Sequence, residues 1–587
     1  MKYKLTSILL VTYTICMAQL SIKNSTYIFA DTVPIYIEGE LNLSEANSQL
    51  YLRNDSQLLQ GIASTENSGI GELSTQQDGT VNQFAYNYWC SPIGNVDTNT
   101  SVNNSFRVDL LDDTTGVITS TDALFTNAQE GISSPLTISS RWLYTFTTSS
   151  SYNDWNFVGS AGSINPGLGF TMKGTSGSSN NQNYEFKGKP NNGTISNSVS
   201  TNQWTLIGNP YPSAIDALAF IHDPQNVASI TGDLYFWEQD ITVNSHYIED
   251  YVGGYATYTI SSGGVDSFTP ATFTTYSGNG VPTNIPSGAG KKTAERYLTI
   301  GQGFMVEGIA NGNVFMKNSH RTYHPETEAD SYFFRPSSQT PIYTSEDPDD
   351  LDDYGLNIVP DDFKRFRINV DFNNTYTRQL LMNFHETATD GFDYGLEGKS
   401  PEDVASDAYW VLDEVPYVIQ AYAYENTLAI PLVLKLDTDQ TVRFRIFDIQ
   451  NFEETQPIYL HDKLTNFYTN LTVQDLEINL AAGTFDDRFE IVFNRQVLAT
   501  PSVDATMFSI SQNNELNSLF IHNPNAIEIT EINIYDTTGK RVFQNTPLAP
   551  MLQYAISTAN LSSGMYIIKL KTNTTNTSIS KKVIVHH

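Results

Sequence analysis

The amino-acid sequence predicts an all-β, multidomain protein built from β-sandwiches of the Ig-like or jelly-roll-like kind. Apolar and polar residues alternate in short runs rich in β-branched and aromatic residues, bounded by Gly, Asn, Asp, Ser and Pro. Antiparallel sheets with one solvent-facing side produce this pattern. Helical spacing is scarce and fits only short segments at 213–221 and 401–405. The clearest alternating runs are 367–372, 442–447, 489–493, 531–535 and 566–570.

Composition and charge exclude several classes of protein. The 587 residues correspond to about three to five domains. Asp and Glu total 64 against 32 Lys and Arg, a formal net charge of −32. We therefore expect no nucleic-acid partner, because phosphate contacts need clustered Lys and Arg. A disordered acidic chain is also excluded, because 40% hydrophobic residues, many of them Tyr and Phe, can fill large cores.

The amino terminus has the pattern of a secretory leader. Lys2 and Lys4 precede the apolar run 5–17, which ends at small residues. We predict a signal peptide over 1–18. The alternative is a membrane anchor, but the run is shorter than the roughly 20 residues that a span needs. No later stretch is long and apolar enough, so we expect no transmembrane segment in the mature chain.

The chain has two cysteines, Cys16 and Cys90. Two cysteines exclude a disulfide scaffold and a Cys-rich metal site. Lipidation of Cys16 is an alternative to cleavage, although Ile15 is larger than the residue that usually precedes such a cysteine. After cleavage only Cys90 remains, so stability rests on burial and strand pairing.

Composition shifts predict the domain boundaries. We expect a large amino-terminal β-rich region over 19–335, an acidic and Pro-rich linker over 336–354, and a middle β-sandwich over 355–497. A final domain covers 503–587. Within the first region, the Gly-, Ser- and Asn-rich stretch 174–204 is typical of a surface loop or insertion.

The amino-terminal region contains an internal echo. An aromatic strand that enters a Gly/Asn/Pro turn occurs at 88–95 and again at 204–212. Each is followed downstream by a Gly-x-Gly-Phe segment, within 166–174 and 300–308. Two related β-units explain this order, and so does chance reuse of common turn chemistry. The Gly-x-Gly segments lack the third glycine and the helix of a dinucleotide site, so they predict strand starts.

No catalytic constellation is recognisable, and we expect a protein that is not an enzyme. Nucleophile elbows, His-Glu-x-x-His helices and phosphate-binding loops are absent from the sequence. We predict no cofactor, apart from calcium as a candidate at the acidic run. The alternative for that run is a solvated, self-repelling linker. The candidate calcium ligands are Asp347, Asp349, Asp350, Asp352 and Asp353.

Aromatic residues in polar, loop-rich context are candidates for glycan stacking. Sugar rings stack on flat side chains as other apolar faces do. The candidates are Trp142, Trp155, Trp237 and Tyr251. The alternative is that they are ordinary core or strand residues.

The carboxyl end carries three motifs in order. They are INIYDTTGK at 532–540, LSSGMY at 561–566 and KKVIV at 581–585. The segment closely resembles the type A C-terminal sorting domain of type IX secretion substrates in Bacteroidota. The residues that carry this resemblance are Tyr535, Asp536, Gly539, Lys540, Leu561, Gly564, Tyr566, Lys581 and Lys582.

This resemblance implies a secretion route. The leader takes the chain across the inner membrane, and the type IX outer-membrane machinery recognises 503–587. The cargo is then released or linked to surface lipopolysaccharide. We therefore expect a secreted or cell-surface protein, on the extracellular face of the outer membrane.

The cargo also resembles large adhesin-like surface β-proteins of unknown function exported by the same system. The matching segments are 86–92, 208–216, 301–304, 388–393, 459–463 and 488–493. This resemblance implies an adhesin-like or structural protein. The alternative is an extracellular glycan-binding protein or a polysaccharide-degrading enzyme.

Overall fold

The computed structural model describes most of the chain. The predicted signal peptide 1–18 and the predicted linker 336–354 lie outside the described residues. The described residues form 49 strands and two short α-helices, which confirms the all-β class. These residues are 19–96, 102–179, 181–283, 290–326, 357–495, 508–524, 527–546, 551–572 and 578–587.

Two compact units divide the chain. The first consists of Met1–Ile458 and Asn470–Ile491. The second consists of Tyr459–Thr469 and Val492–His587.

The first unit begins with twenty strands and three 3-10 helices. The strands are β1 Leu20–Ile22, β2 Tyr27–Asp31, β3 Pro34–Ile37, β4 Leu41–Leu43, β5 Gln49–Arg53, β6 Gln57–Gln60, β7 Asn67–Gly69, β8 Glu72–Thr80, β9 Tyr86–Cys90, β10 Ile93–Gly94, β11 Leu111–Gly116, β12 Thr119–Asp122, β13 Leu124–Thr126, β14 Gly131–Ser133, β15 Leu136–Ser139, β16 Tyr144–Thr145, β17 Asn156–Phe157, β18 Gly169–Lys173, β19 Thr175–Ser176 and β20 Asn181–Pro190. The 3-10 helices are Val108–Leu110, Ser140–Trp142 and Tyr152–Asp154.

The earliest strands stack in parallel. Successive turns of the chain build the ladders β1-β4-β7, β2-β5-β8 and β3-β6. Ile22, Leu43 and Leu50 are buried in the resulting core. The expectation of antiparallel sheets is wrong here, because alternation reports which face of a strand is buried and not the direction of its neighbour.

The stretch 174–204 is not a surface loop. It contains β20, which lies between β8 and β11 in a seven-stranded sheet. The polar residues of this strand are paired inside the protein: Glu185 accepts a hydrogen bond from Arg53 Nη2 at 3.0 Å, and both side chains are buried. A polar composition therefore concealed a central strand.

Eleven strands, both α-helices and two 3-10 helices follow. The strands are β21 Ile195–Val199, β22 Trp204–Gly208, β23 Ala214–Asp216, β24 Leu234–Gln239, β25 Val252–Ile260, β26 Asp266–Thr269, β27 Thr274–Thr275, β28 Tyr297–Leu298, β29 Gly303–Glu307, β30 Gly312–Met316 and β31 Arg321–Thr322. The helices are α1 Ala217–Ile221, α2 Pro224–Val227 and the 3-10 helices Ile248–Asp250 and Asn318–His320. The main sheet here has the order β22-β29-β24-β25-β26, with β27 beside β25.

The helix predictions are partly right. Only the second half of 213–221 is helical, because β23 occupies the first half and Asp216 accepts a hydrogen bond from Leu218 N at the start of α1. The segment 401–405 is not helical. Helix α2 was not predicted from the sequence, although its Pro224 follows the capping Asp223 in the usual way.

The next strands run from residue 364 to residue 492. They are β32 Lys364–Phe372, β33 Tyr376–Phe384, β34 Gly398–Lys399, β35 Asp407–Leu412, β36 Val415–Tyr422, β37 Ala429–Leu436, β38 Gln440–Gln450, β39 Tyr459–Asp462, β40 Phe467–Asn470, β41 Leu476–Leu480 and β42 Gly483–Val492. In the first unit they form a sheet of order β42-β37-β35-β36-β33-β32-β38-β41, with β34 beside β36.

Partly buried polar contacts join this sheet to the preceding strands. Arg365 Nη2 donates to the Asp266 carbonyl at 2.6 Å, and Lys399 Nζ lies 3.1 Å from Glu307 Oε1. Side chains from both sides of the predicted linker therefore share one interior. The predicted division at 336–354 stays a prediction.

The second unit ends in a small Ig-like sandwich. Its strands are β43 Ser509–Asn513, β44 Ser518–His522, β45 Ile529–Asp536, β46 Arg541–Asn545, β47 Gln553–Ser557, β48 Gly564–Thr572 and β49 Ser578–Val585. Sheets of order β43-β44-β47 and β46-β45-β48-β49 enclose one apolar core.

Candidate functional site

Two strand pairs with the same register form the scaffold of the site. In the first pair, Cys90 of β9 lies opposite Gly169 of β18. In the second, Gly208 of β22 lies opposite Gly303 of β29. The two halves of the sequence echo are thus paired with each other in the same way. Duplication of a β-unit stays a prediction that this register supports.

Two backbone hydrogen bonds also join the two strand pairs, and each pair provides one donor. Cys90 N donates to the Gly301 carbonyl at 2.7 Å, and Gly208 N donates to the Gly167 carbonyl at 3.1 Å. Gly167 and Gly301 have φ of 79° and 75°, a conformation that favours glycine. The Gly-x-Gly segments therefore make matching turns before β18 and β29.

Strand alternation separates the two faces of these pairs. One face contributes Tyr86, Tyr88, Thr171, Trp204 and Met305 to the wall of a cavity. Residues that alternate with these along the strands lie in the apolar cores on the other side of the strand pairs. They include Trp89, Phe170, Ile207 and Phe304.

The cavity is an aromatic cleft of about 570 Å³, and twelve of its lining residues are aromatic. All four glycan-stacking candidates, Trp142, Trp155, Trp237 and Tyr251, line it. The sequence could not show that these four residues lie close together in the fold. We define the aromatic cleft as this cavity with all its lining residues: these four, the five strand residues named above, and Tyr144, Phe146, Ser149, Ser150, Ser151, Tyr152, Asn153, Asn202, Ile248, Tyr255, Tyr276, Gly280, Pro282, Pro401 and Glu402.

The rings contact one another along the cleft. Trp237 lies 5.2 Å from Tyr255 and 5.8 Å from Tyr276, measured between ring centroids. Tyr255 lies 5.2 Å from Trp204. The hydroxyls of Tyr255 and Tyr88 share a hydrogen bond of 2.7 Å. Such contacts hold the rings in fixed positions, so the apolar surface is ready for a flat ligand.

A buried lysine contacts three aromatic rings of the cleft wall. Lys173 is 4% exposed, and its Nζ lies 4.0 Å from the Trp142 ring centroid and 4.8 Å from those of Tyr86 and Tyr251. It also donates to the Tyr251 hydroxyl at 2.6 Å. Burial lowers the pKa of Lys173 to about 7. The lysine therefore packs against three cleft rings, and its charged form makes cation–π contacts with them.

One carboxyl group lines the cleft among the described residues. Glu402 accepts a hydrogen bond from the Tyr276 hydroxyl at 3.0 Å. Burial raises the pKa of Glu402 to about 7. Glycoside hydrolysis ordinarily uses two facing carboxyl groups, and the described lining supplies one. The remaining polar lining consists of Ser149, Ser150, Ser151, Asn153, Thr171 and Asn202.

The other predicted sites fall elsewhere. The calcium candidates Asp347, Asp349, Asp350, Asp352 and Asp353 lie outside the described residues. Within the ranges that the structure describes, no group of three or more His, Cys, Asp or Glu side chains could hold a metal ion. Cys90 is buried, and burial raises the pKa of its thiol to about 12.

The sorting-signal residues lie on or next to three adjacent strands of the second unit. Asp536 Oδ1 accepts hydrogen bonds from Thr538 N and Lys540 N at 2.9 and 3.0 Å, which closes the turn after β45. Gly539 in that turn has a φ of 84°. Tyr535 is on β45, Gly564 and Tyr566 are on β48, and Lys581 and Lys582 are on β49; Leu561 precedes β48.

Two families match the chain. The family described as a secretion system C-terminal sorting domain matches residues 512–586, inside the predicted 503–587. The family described as a domain of unknown function, DUF8693, matches residues 4–493. The chain belongs to the DUF8693 family. It is also a type IX secretion substrate with a type A sorting domain, which confirms the resemblance seen in the sequence.

This DUF8693 member is exported to the cell surface or secreted, and its sorting domain interacts with the type IX machinery. No curated protein matches it. One similar solved structure is the extracellular domain of a one component system from B. thetaiotaomicron, at 10% identity and a TM-score of 0.11. The match covers 66% of this chain and 61% of that structure. No helix in the described part of the chain is long and apolar enough to cross a membrane.

Sequence reasoning missed several residues of this family member's cleft. Tyr88 and Trp204 stand inside the echoed motifs, so the echo itself could have marked them. Glu402 falls in the segment predicted as a helix, and nothing local to it indicates a cavity. Lys173 ends a strand whose pattern gives no sign of an aromatic enclosure.

Proposed function

We propose that this exported protein is adhesin-like and binds a glycan in the aromatic cleft. The observation that carries the proposal is the lining of twelve aromatic side chains around a space of about 570 Å³. That volume is in the range of ordinary ligand sites. Sugar rings present apolar C–H faces that stack on Trp and Tyr, and hydroxyl and amide groups of the lining can hydrogen-bond their hydroxyls.

Export supports the same proposal. A type IX substrate reaches the cell surface or the medium, where polysaccharides and lipopolysaccharide are the abundant ligands. Binding without catalysis is part of the proposal, and the single carboxyl group among the described lining residues, Glu402, supports it. A polysaccharide-degrading enzyme is the competing function.

A glycan array tests the proposal with the full chain and two matched variants. Trp155→Ala removes a ring from the cleft, whereas Tyr247→Ala removes an aromatic ring that is 66% exposed and outside the cleft lining. We expect Trp155→Ala to weaken binding of the best glycan about two- to tenfold, since one stacking contact contributes on the order of 0.5–1.5 kcal/mol. Tyr247→Ala is expected to bind as the wild type does.

Three results would contradict the proposal. The array shows no glycan bound, or both variants bind equally well, or mass spectrometry finds shortened oligosaccharides after incubation. The last result assigns the protein to the enzymes. Circular dichroism of each variant confirms that it is folded.

A further inference from the structure

The ionisable groups near the aromatic cleft differ in whether a ligand can contact them. Glu402 lines the cavity, whereas Lys173 is 4% exposed and lies behind the rings of Trp142 and Tyr251. Among the described lining residues, Glu402 is the only ionisable side chain besides the tyrosines. In the described part of the lining, a ligand therefore meets a carboxyl group and no cation.

Glu402 has a hydrogen bond but no ion pair with a described residue. The Tyr276 hydroxyl donates to it at 3.0 Å. Arg378 lowers the pKa of Glu402 through its charge, but it already donates two hydrogen bonds to Asp407 at 2.6 and 2.9 Å. Burial raises the pKa of Glu402 to about 7, and the Asp407 carboxylate adds to that rise. A cation beside this acid would favour its charged form.

Aromatic residues lie near the same carboxyl group. Burial, with a contribution from the Glu402 carboxylate, raises the pKa of the Tyr255 phenol. The Trp237 ring lies 5.2 Å from Tyr255 and 5.8 Å from Tyr276. Ring faces carry negative potential and attract ammonium groups.

One amino group already lies against the rings of the cleft wall. Lys173 Nζ lies 4.0 to 4.8 Å from three ring centroids of the cleft wall. The wall near Glu402 offers rings of the same kind, with a carboxyl group added. A carboxylate beside such rings favours the charged form of an amino group, which burial alone disfavours at Lys173.

We propose that the glycan bound in the cleft carries a free basic amino group, and that its ammonium lies between Glu402 and the rings of Tyr255 and Trp237. The inference rests on the glycan binding proposed above and names the ligand class: amino sugars that are not N-acetylated. The net charge of −32 favours approach of a cationic glycan and disfavours uronic acids and sulfated sugars.

Calorimetry with two matched probes tests the ligand class. The probes are the β-1,4-linked hexamers of glucosamine and of N-acetylglucosamine, titrated into the full chain at pH 6. We expect the glucosamine hexamer to bind at least about tenfold more tightly, because a charge-assisted contact is added. Its binding should also release a proton from Glu402, measured as a dependence of the heat on the buffer's ionisation enthalpy.

The variant Glu402→Gln retains the shape of the side chain and removes its charge. We expect it to bring the two affinities close to a ratio of one and to abolish proton release. Asp403→Asn is the matched control, because it removes the adjacent charge, whose side chain is 88% exposed. This control should keep both the preference and the proton release.

Two outcomes overturn the inference. The acetylated hexamer binds as tightly as the free amine, or Glu402→Gln weakens both probes equally, which makes Glu402 an acceptor for neutral sugar hydroxyls. Either result leaves glycan binding in place. Failure of every glycan on the array instead removes the proposed function itself.

Discussion

At the scale of single residues, the interior of this protein contains three carboxyl groups whose pKa is raised to about 7 or 8. Burial raises the pKa of Asp233 and of Glu402 to about 7, and that of Glu397 to about 8. All three have carboxyl groups whose charged form is poorly solvated. Glu402 differs from the other two because it lines the cleft, so a ligand can compensate its charge.

The pH dependence of stability tests the state of Glu402. Its pKa is higher in the folded than in the unfolded protein, where 4.5 is the ordinary value. The folded state therefore keeps its proton more tightly, and stability falls as pH rises from about 4.5 to above 7. We expect Glu402→Gln to be more stable than the wild type at pH 8, by about 1–2 kcal/mol after allowance for partial exposure. At pH 4 the two should unfold alike.

Urea unfolding at both pH values measures this difference. An equal gain at pH 4 and pH 8 would show that the substitution acts through packing and not through charge. A loss at pH 8 would mean that the carboxylate is stabilised in the folded state, contrary to the pKa direction.

At the scale of elements, the pairs β9/β18 and β22/β29 position the cleft. A Cβ on Gly208 would lie 2.3 Å from the Gln302 carbonyl oxygen and 2.5 Å from Cys90 Cβ, where the two pairs meet. Gly312 on β30 has no atom within 4 Å of its Cβ position. The junction therefore depends on a close approach of backbones that only glycine permits.

Alanine substitutions at these two glycines test the junction. We expect Gly208→Ala to destabilise the protein by about 2–3 kcal/mol, as overpacking against backbone does. Gly312→Ala should change stability by less than about 0.5 kcal/mol. Thermal melts compare the two variants, and equal melting temperatures would contradict the close packing of the strand pairs.

The elements also show what sequence patterns can and cannot predict. Alternation correctly places β32, β38, β42, β45 and β48, because each buries one face. It does not reveal the parallel ladders of β1–β8, because partner direction is a tertiary property. It also misses β20, because polar residues flank the buried Tyr184 and Phe186 of that strand, and one of them, Glu185, is itself buried and paired with Arg53.

The cleft was predictable in its ring types but not in its assembly. Trp142, Trp155, Trp237 and Tyr251 have a polar local context that suggested exposed stacking surfaces. Their convergence depends on strand pairs far apart in sequence, as does the approach of Glu402. A single sequence gives no information on the distance in space between segments that lie far apart along the chain.

At the scale of the whole molecule, the sorting domain determines where the cleft acts. Deleting residues 503–587 removes the domain that the family match covers, so we expect the cargo to accumulate in the periplasm. Cell fractionation with immunoblotting measures this, and a strain lacking type IX secretion is the matched control. Normal surface or medium delivery of the truncated chain would contradict the assigned route.

Tryptophan fluorescence tests the central claim, glycan binding in the aromatic cleft, most directly. Of the six tryptophans, Trp142, Trp155, Trp204 and Trp237 line the cleft, whereas Trp89 and Trp410 are buried. Titration of the full chain with the best array glycan should shift the emission saturably and protect it from acrylamide quenching. Binding seen by calorimetry without any change in emission or quenching would place the ligand elsewhere and contradict the account.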